Sequence, residues 1–212
     1  MKLFVGDVHG NLRALTRTVQ RLQNERKQRF DAIVQVGDLG LDTRSRQGEL
    51  DMIRYVEDGV NPYDTQSEMP AIYFVRGNHD DMFTQKEMGV HQIADNLYQF
   101  EGPLLLGNQR FYGIGGLGPV ERPKAGPTVL YNDESFNNYL LTSTDVLVTH
   151  QHPSYAFKAR GCDELSTLVS LNLPRLHVWG HHNEHVNLGH AVGLKKLDQI
   201  CKQGAYYERT NS

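Results

Sequence analysis

The residues of this sequence that could do chemistry are carboxylate, amide and imidazole side chains that follow short apolar runs. They are Asp7 with His9, Asp38, Asn78 with His79, His150, and His181. Carboxylates and imidazoles suit divalent transition metals, and a carboxylate can bridge two metal ions. No cysteine is among them, so the pattern does not fit a structural zinc site. The residue types therefore predict a site for divalent metal ions.

The spacing suggests how the ligands divide between two ions. Asp38 stands alone on its loop and is the natural bridge. Asp7 and His9 would bind one ion with Asp38, and the other ion would be bound by Asn78, His150 and His181. For any one of these residues taken alone, a helix cap or a surface loop is the more common role. The joint pattern at successive strand ends is what favours a metal site.

The elements that must position these residues are alternating strands and helices. Apolar runs predict buried strands over 3–5, 31–36, 71–75, 146–149 and 177–179, with further short strands over 97–116 and 186–207. From Leu12 the apolar residues fall at three- and four-residue spacings, which predicts a helix with Asn11 as its N-cap. Further helices are predicted over about 47–57, 134–141 and 165–171.

This alternation predicts an α/β fold. In such folds ligands bind at the carboxyl ends of the strands, so strands that share a sheet would bring these side chains to one edge. The β-rich middle and tail suggest a second sheet packed on the first. The length of 212 residues suits one domain over 1–212.

The composition argues against proteins that bind long nucleic acids, disulfide-rich scaffolds and membrane-spanning proteins. The net charge of −3 gives no signal for binding long nucleic acids or an anionic membrane. Cys162 and Cys201 predict reduced thiols rather than a disulfide scaffold. No apolar run reaches the roughly 18 residues of a membrane span, and the first strand leaves no room for a signal peptide. We expect a soluble, cytoplasmic protein, and its oligomeric state stays open.

The order of the motifs resembles the calcineurin-like metallophosphoesterase superfamily over residues 3–181. The motifs are Gly-Asp-Val-His-Gly-Asn from Gly6, Gly-Asp at Gly37, Arg-Gly-Asn-His-Asp from Arg76, then His150, and Gly-His at Gly180. The resemblance implies a four-layer α-β-β-α sandwich with two mixed β-sheets. It also implies a dinuclear centre, with manganese as the first choice and iron, zinc or magnesium as others. The implied activity is hydrolysis of phosphomonoesters or phosphodiesters, nucleotide types included, by a metal-activated hydroxide.

The resemblance also implies roles beside the metal ions. His79 would be the catalytic general acid that protonates the leaving oxygen. Asp80 would either orient His79 or cap the helix that follows. Arg76 would either contact the substrate phosphate or form an ordinary surface salt bridge. His152 is assigned to a loop behind His150, which directly ends its strand.

This sequence departs from motifs of the superfamily at two places. The last motif usually reads Gly-His-x-His, whereas Asn183 stands here at the second His position. The amide oxygen of Asn183 could bind the metal weakly, or His182, His185 or water could complete the site that Asp7 and His9 begin. The Gly-Asp-x-Val-Asp-Arg-Gly motif of the protein serine/threonine phosphatases is absent.

The competing interpretation is a phosphoesterase-fold protein that has lost catalysis and acts as a binding scaffold. Such a scaffold would lack several ligands or the catalytic histidine, whereas His79 is present. Substrate specificity would lie in the loops 40–48, 118–129 and 154–163. The glycines over 113–118 precede Pro119 rather than a helix, so they predict tight β packing and not a nucleotide loop.

Overall fold

A computed structural model describes residues 1–40, 50–55, 69–80, 87–118, 131–156, 161–182, 185–197 and 206–209. In this part of the chain the helices are α1 (Leu12–Arg26), α2 (50–55), α3 (Asp133–Asn138), which a 3-10 turn over Tyr139–Leu141 continues, and α4 (Asp163–Asn172). The strands are β1 (Lys2–Val5), β2 (Ala32–Gln35), β3 (Ile72–Phe74), β4 (Gly89–Ala94), β5 (Leu97–Leu106), β6 (Gln109–Ile114), β7 (Val146–Thr149), β8 (Leu176–Trp179), β9 (Val186–Asn187), β10 (Ala191–Gly193) and β11 (Tyr206–Arg209).

The described strands form one hydrogen-bonded ladder in the order β11-β1-β2-β3-β5-β6-β7-β8-β10-β9, with β4 beside β5. Strands β1, β2 and β3 are mutually parallel, and so are β6, β7, β8 and β10. Strand β5 joins these two halves because its first residues pair with β3 and its last residues pair antiparallel with β6. The structure therefore confirms an α/β fold with a mixed sheet.

Helix α1 forms where the spacing of apolar residues predicts it. The Asn11 side chain accepts a hydrogen bond from the Ala14 N–H at 3.0 Å, which satisfies one of the open donors of the first turn. The helix ends at Arg26, and the residue that follows it, Lys27, has a left-handed φ of 53°. Its buried face, with Leu15 and Val19 at its centre, packs against the strands of the first half.

Three apolar clusters cover the faces of the ladder, and alternate residues of one strand enter different clusters. In β1, Leu3 and Val5 pack with helix α1, whereas Phe4 packs in a central cluster. That central cluster draws on both halves of the ladder and includes Val34, Phe111, Val148, Val178 and Val192. The third cluster joins β6 and β7 to the helices α3 and α4 and includes Tyr112, Leu147, Tyr139, Leu165 and Leu168. Apolar side chains thus bury both faces of each half.

The middle of the chain differs from the prediction of short strands. Strands β5 and β6 are 10 and 6 residues long, and β4 lies outside every predicted strand. The glycines of this region do pack tightly, since a side chain at Gly113 would overlap the Phe100 ring. Cys162 is a buried thiol, and Cys201 lies outside the described residues. Among the described helices, none combines the length and apolar character that crossing a membrane requires.

Candidate metal centre

The predicted ligands meet at the ends of five strands, but these strands come from both halves of the ladder. Strands β1, β2 and β3 of the first half precede Asp7 with His9, Asp38, and Asn78. Strands β7 and β8 of the second half precede His150 and His181. The two halves come into contact here, because His150 Nε2 lies 3.0 Å from Asn78 Oδ1 and 3.6 Å from Asp38 Oδ1.

The side chains form two ligand groups that share one carboxylate. One group is Asp7, His9 and Asp38, and the other is Asp38, His150 and His181; within each, the candidate ligand atoms lie within 4.8 Å of one another. His9 Nε2 is 3.9 Å from Asp7 Oδ2 and 3.8 Å from Asp38 Oδ2. The structure thus brings the six predicted ligands together in the predicted grouping. That they bind metal stays a prediction.

Three of these residues have a left-handed backbone. The φ angles are 48° for His9, 53° for Asp38 and 69° for His181. Non-glycine residues adopt this conformation uncommonly, and such strain concentrates at functional sites. Each of these residues follows its strand by two to four positions, so the unusual backbone conformation lies in the turn after the strand rather than in the sheet.

Three positions beside the ligands accept only glycine, because the ligand residues pack too closely to leave room for a Cβ atom. A Cβ at Gly77 would overlap the backbone and carboxylate of Asp38, and a Cβ at Gly180 would lie 2.5 Å from Asp7 Oδ1. A Cβ at Gly37, which has a φ of 95°, would overlap the His150 ring. The Gly-Asp, Gly-Asn and Gly-His pairs of the sequence therefore have a steric cause.

His150 shows that the group fits a cation. Its Nδ1 lies 2.9 Å from the Val36 carbonyl oxygen, which can only accept, so Nδ1 carries the hydrogen. Burial lowers the pKa of His150 to about 4, so the ring is neutral at ordinary pH and Nε2 has a lone pair. That lone pair faces the oxygens of Asn78 and Asp38. A bound cation would offset the repulsion between this nitrogen lone pair and the two oxygens.

The two buried carboxylates, Asp7 and Asp38, also indicate that the ligand groups fit cations. Asp7 and Asp38 are only 0% and 1% exposed. Burial raises the pKa of Asp38, against the opposing charges of His79, His181 and Lys196. Buried carboxylates so close together need compensating positive charge. The donor set of carboxylate, amide and imidazole groups therefore suits two divalent ions.

His79 lies beside the ligand groups rather than within them. Its backbone N–H donates to Asp38 Oδ1 at 3.0 Å, and its half-buried ring lies 6.0 Å from the His9 ring, between centroids. This location suits a group that exchanges a proton with a substrate without binding metal. The proton-donor role itself remains a prediction.

Asp80 has contacts that neither predicted role describes. Its Oδ2 accepts the N–H groups of Gly77 at 2.8 Å and Leu39 at 3.1 Å, and its Oδ1 accepts that of Gly40 at 2.9 Å. Asp80 therefore ties the turn after β2 to the turn after β3, and these turns carry Asp38 and Asn78. The residues that a following helix would occupy, 81–86, lie outside the described part of the chain.

Arg76 is buried, with its side chain 4% exposed and its Nη2 atom 3.5 Å from Glu101 Oε2. Of the two interpretations, an ion pair matches this contact, but the pair is in the interior rather than on the surface. Glu101 also accepts the Gly115 N–H at 3.1 Å. A contact between Arg76 and the substrate phosphate, the other interpretation, remains a prediction.

Three other histidines that the sequence analysis names, His152, His182 and His185, lie around the second half of the ladder. His152 is fully buried, its Nδ1 is 3.1 Å from the Pro153 oxygen, and its ring packs against His182 at 4.3 Å. His185 Nδ1 is 3.0 Å from the Gly193 oxygen. Asn183 lies outside the described residues. Which group completes the site of Asp7 and His9 therefore stays open.

Some buried polar residues near the site are absent from the sequence-based prediction, and Glu101 and Gln151 are two examples. Glu101 stands in the apolar run of β5, and a lone acidic residue in such a run is a signal of a buried pair. Gln151 directly follows His150 and is 1% exposed. No local pattern distinguishes Gln151 from an ordinary loop residue.

Comparison with known proteins agrees with the class that the fold and ligand set define, a metal-dependent phosphoesterase. The family model described as calcineurin-like phosphoesterase matches residues 3–185. The chain therefore belongs to the calcineurin-like phosphoesterase family. No curated protein matches the chain.

Solved structures support the fold. The chain is similar to TT1561 of Thermus thermophilus, with 15% sequence identity, a TM-score of 0.58, and coverage of 93% of this chain and 89% of that one. A second solved structure shows 13% identity and a TM-score of 0.59, with coverage of 93% and 91%. At such low identity these likenesses concern the fold alone.

Proposed function

We propose that this protein hydrolyses phosphate esters with two divalent metal ions, manganese by preference, bound in the two ligand groups. The observation that carries the proposal is the position of Asp38, which belongs to both groups. A carboxylate shared by two sets of imidazole and carboxylate ligands is the arrangement that bridges a pair of ions. Asn78 adds an amide oxygen beside His150.

The bound ions would supply positive charge for the phosphate oxygens and lower the pKa of a water nucleophile. The chain's own residues would hold these ions and would donate the proton that the leaving oxygen needs. The buried Asp7 and Asp38 anchor them, and the backbone bond from His79 to Asp38 keeps the His79 ring next to the bridging ligand. His79 would donate the proton that the leaving oxygen needs.

Two further features belong to the proposal. The three apolar clusters support a four-layer sandwich, with α1 outside one half of the ladder and α3 and α4 outside the other. The net charge of −3 supports a small substrate, a phosphomonoester or phosphodiester of nucleotide or other type, rather than a long nucleic acid. We place this activity in the cytoplasm.

The test is Asp38→Asn, assayed with manganese and nitrophenyl phosphate mono- and diesters. Asparagine tolerates the left-handed backbone at this position, so the fold is expected to survive. We expect the activity to fall by at least about 100-fold and the bound manganese to decrease. Asp133→Asn, an exposed change in the first turn of α3, is the matched control.

Retention of both activity and metal by Asp38→Asn would contradict the dinuclear assignment. A wild-type protein that binds manganese but hydrolyses none of these esters, nor a panel of nucleotide diesters and dinucleoside polyphosphates, would favour the scaffold interpretation. Metal analysis of the same samples separates the two results.

His79→Ala tests the proton donor. We expect slower turnover by about 100-fold or more with the metal content unchanged, because the ring lies beside the ligand groups. Turnover should lose most with esters of poorly acidic alcohols, which need protonation at the leaving oxygen. A decrease in metal content as large as the decrease in activity would make His79 a ligand instead.

A further inference from the structure

A buried ion pair joins the two halves of the ladder near the candidate metal ligands. Glu101 is 0% exposed and Arg76 is 3% exposed. The Arg76 Nη2 atom lies 3.5 Å from Glu101 Oε2, and the other carboxylate oxygen, Oε1, accepts the Gly115 N–H at 3.1 Å. Glu101 therefore contacts one residue that follows β3 in the first half of the ladder and one residue that follows β6 in the second half.

Glu101 lies where strand β5 changes its pairing partner. Gln99 is the last residue of β5 that pairs with β3, and Gly102 is the first that pairs with β6. A carboxylate at this crossing reaches both halves at once. Because the cost of burying two charges offsets much of their attraction, such a pair adds little net stability and is better suited to fixing the arrangement of the elements that it joins.

The backbone of Arg76 is in contact with the same segment of the second half. The Gly116 N–H donates to the Arg76 oxygen at 2.8 Å, and a Cβ at Gly115 would lie 2.8 Å from the Arg76 nitrogen. Arg76 is thus held through its side chain by Glu101 and through its backbone by Gly116. Since Asn78 follows Arg76 by two residues, these contacts limit where Asn78 can lie relative to the second half.

The same segment supports His150 from the other direction. Ile114 directly precedes Gly115, and its oxygen accepts the His150 N–H at 3.4 Å. The ligand side chains complete the circuit, because His150 Nε2 lies 3.0 Å from Asn78 Oδ1. The ion pair and this contact between the ligands therefore belong to one closed set of described residues: Arg76, Gly77, Asn78, His150, Ile114, Gly115 and Glu101.

We propose that Glu101 and Arg76 are positioning residues for metal binding. Their contacts set the distance between Asn78 and His150. They thereby determine the affinity of one ligand group, that of Asp38, His150 and His181. The other group, that of Asp7, His9 and Asp38, contains neither Asn78 nor His150 and should not depend on the pair. This inference rests on the proposed function, and it gives Arg76 a role away from the substrate phosphate.

The test measures each ligand group separately, by calorimetric titration of metal-free protein with manganese, which needs no turnover. In a His9→Gly background the tighter ion reports the group of Asp38, His150 and His181. In a His181→Gly background the tighter ion reports the group of Asp7, His9 and Asp38. Glycine removes the imidazole and accepts the left-handed backbone of both positions.

Arg76→Met is the decisive change, because charge and position predict opposite signs. Loss of a positive charge would by itself strengthen cation binding, whereas loss of the contact with Glu101 would weaken it. We expect the manganese affinity to fall by about tenfold or more in the His9→Gly background and not to fall in the His181→Gly background. Arg110→Met is the matched control. It removes the same side chain from an ion pair with Asp145 near the start of β6, and it should lower neither affinity.

Arg76→Met/Glu101→Gln repeats the test without an unpaired buried charge, so it is expected to fold even if the single variant does not. The glutamine oxygen can still accept the Gly115 N–H, and the ion pair alone is lost. We expect the same selective fall in manganese affinity. Because this double variant keeps the net charge of the protein, the fall cannot come from a change in overall electrostatic attraction.

Three results would overturn the inference. Tighter manganese binding in Arg76→Met would show an electrostatic effect alone. An equal fall in both backgrounds would show that the pair supports the fold in general. Unchanged manganese binding would show that the pair does not position the ligands, and weaker binding of inorganic phosphate to that manganese-loaded variant would place Arg76 at the substrate instead. A wild type that binds no manganese is a different result, because it overturns the proposed function and the inference with it.

Discussion

The contacts of Asp80 explain why a carboxylate follows the Gly-Asn-His sequence. Gly77 and Leu39 donate to one of its oxygens and Gly40 donates to the other. Because both oxygens face N–H donors, an amide in either orientation would point its NH₂ group at a donor. The carboxylate can therefore join the two turns in a way that asparagine cannot.

Asp80→Asn is expected to lower the free energy of unfolding by about 3 kcal/mol, since charge-assisted bonds would be replaced by a donor facing a donor. Manganese affinity should fall by about tenfold or more, because the joined turns carry Asp38 and Asn78. Urea denaturation without metal and a manganese titration measure the two effects. Asp133→Asn, exposed on α3, should change neither. A stable Asp80→Asn protein with wild-type manganese affinity would contradict this role.

Single residues also show which contacts can be predicted from the sequence and which cannot. It favours His150 over His152 because His150 directly ends a strand, and the structure places His150, not His152, against Asp38. The partner of Arg76 cannot be inferred in the same way. Glu101 lies far along the chain on β5, so only the strand pairing brings the two together.

At the scale of elements, the turns between strands require particular residues, and the physical reason differs from one turn to another. Gly77 has no left-handed φ angle, so its requirement is purely steric, and the space for a Cβ is taken by Asp38. Gly107, in the turn between β5 and β6, is the opposite case. It has a φ of 62°, and apart from its chain neighbours no described residue comes within 4 Å of the place that a Cβ would occupy.

This contrast predicts different costs for two glycine-to-alanine changes. Gly107→Ala should cost about 1 kcal/mol of stability, the strain of a left-handed alanine, and should keep metal binding. Gly77→Ala should displace Asp38 and lower manganese affinity by more than about tenfold. Thermal unfolding and a manganese titration on both variants measure the effects. Equal manganese affinities in the two variants would show that the turn after β3 can move without disturbing Asp38.

The elements that the sequence predicts well are those buried on both faces. Strands β1, β2, β7 and β8 are buried at every residue, so their apolar runs are unambiguous. Strand β4 is half-exposed and lies outside the main path of the ladder. Strand β5 contains a buried Glu101 and a proline, Pro103, which break the apolar pattern. Tertiary contacts override local preference at such positions.

At the scale of the whole molecule, the candidate site lies where the two halves of the ladder meet. The sequence predicts that strands which share a sheet bring the ligands to one edge, and the five strands that precede the ligands do belong to one hydrogen-bonded ladder. Gly102, with a φ of 87°, lies where β5 passes from one half to the other. This crossing determines how the halves face each other, and no periodicity of apolar residues encodes it.

The interior of the second half contains a histidine that makes global stability depend on pH. His177 is 1% exposed, and burial lowers its pKa to about 3. The unfolded chain would have an ordinary histidine pKa near 6.5, so it binds a proton that the folded protein excludes. Stability therefore falls as the pH decreases from about 6.5 toward about 3, by about 1.4 kcal/mol per pH unit, and His177 contributes no pH dependence above that range.

His177→Gln should remove this dependence while offering groups that can still bond to Thr149 and Tyr155. We expect the slope of unfolding free energy against pH, measured by urea denaturation between pH 4 and 6 with chelator present, to decrease by about 1.4 kcal/mol per unit. Tyr155→Phe is the control, because it removes the hydroxyl bond to His177 but keeps the imidazole. It should lower stability by about 1 kcal/mol at every pH and keep the wild-type slope. If His177→Gln keeps that slope as well, the acid sensitivity of the fold originates in other groups, of which buried His150 is the first to test.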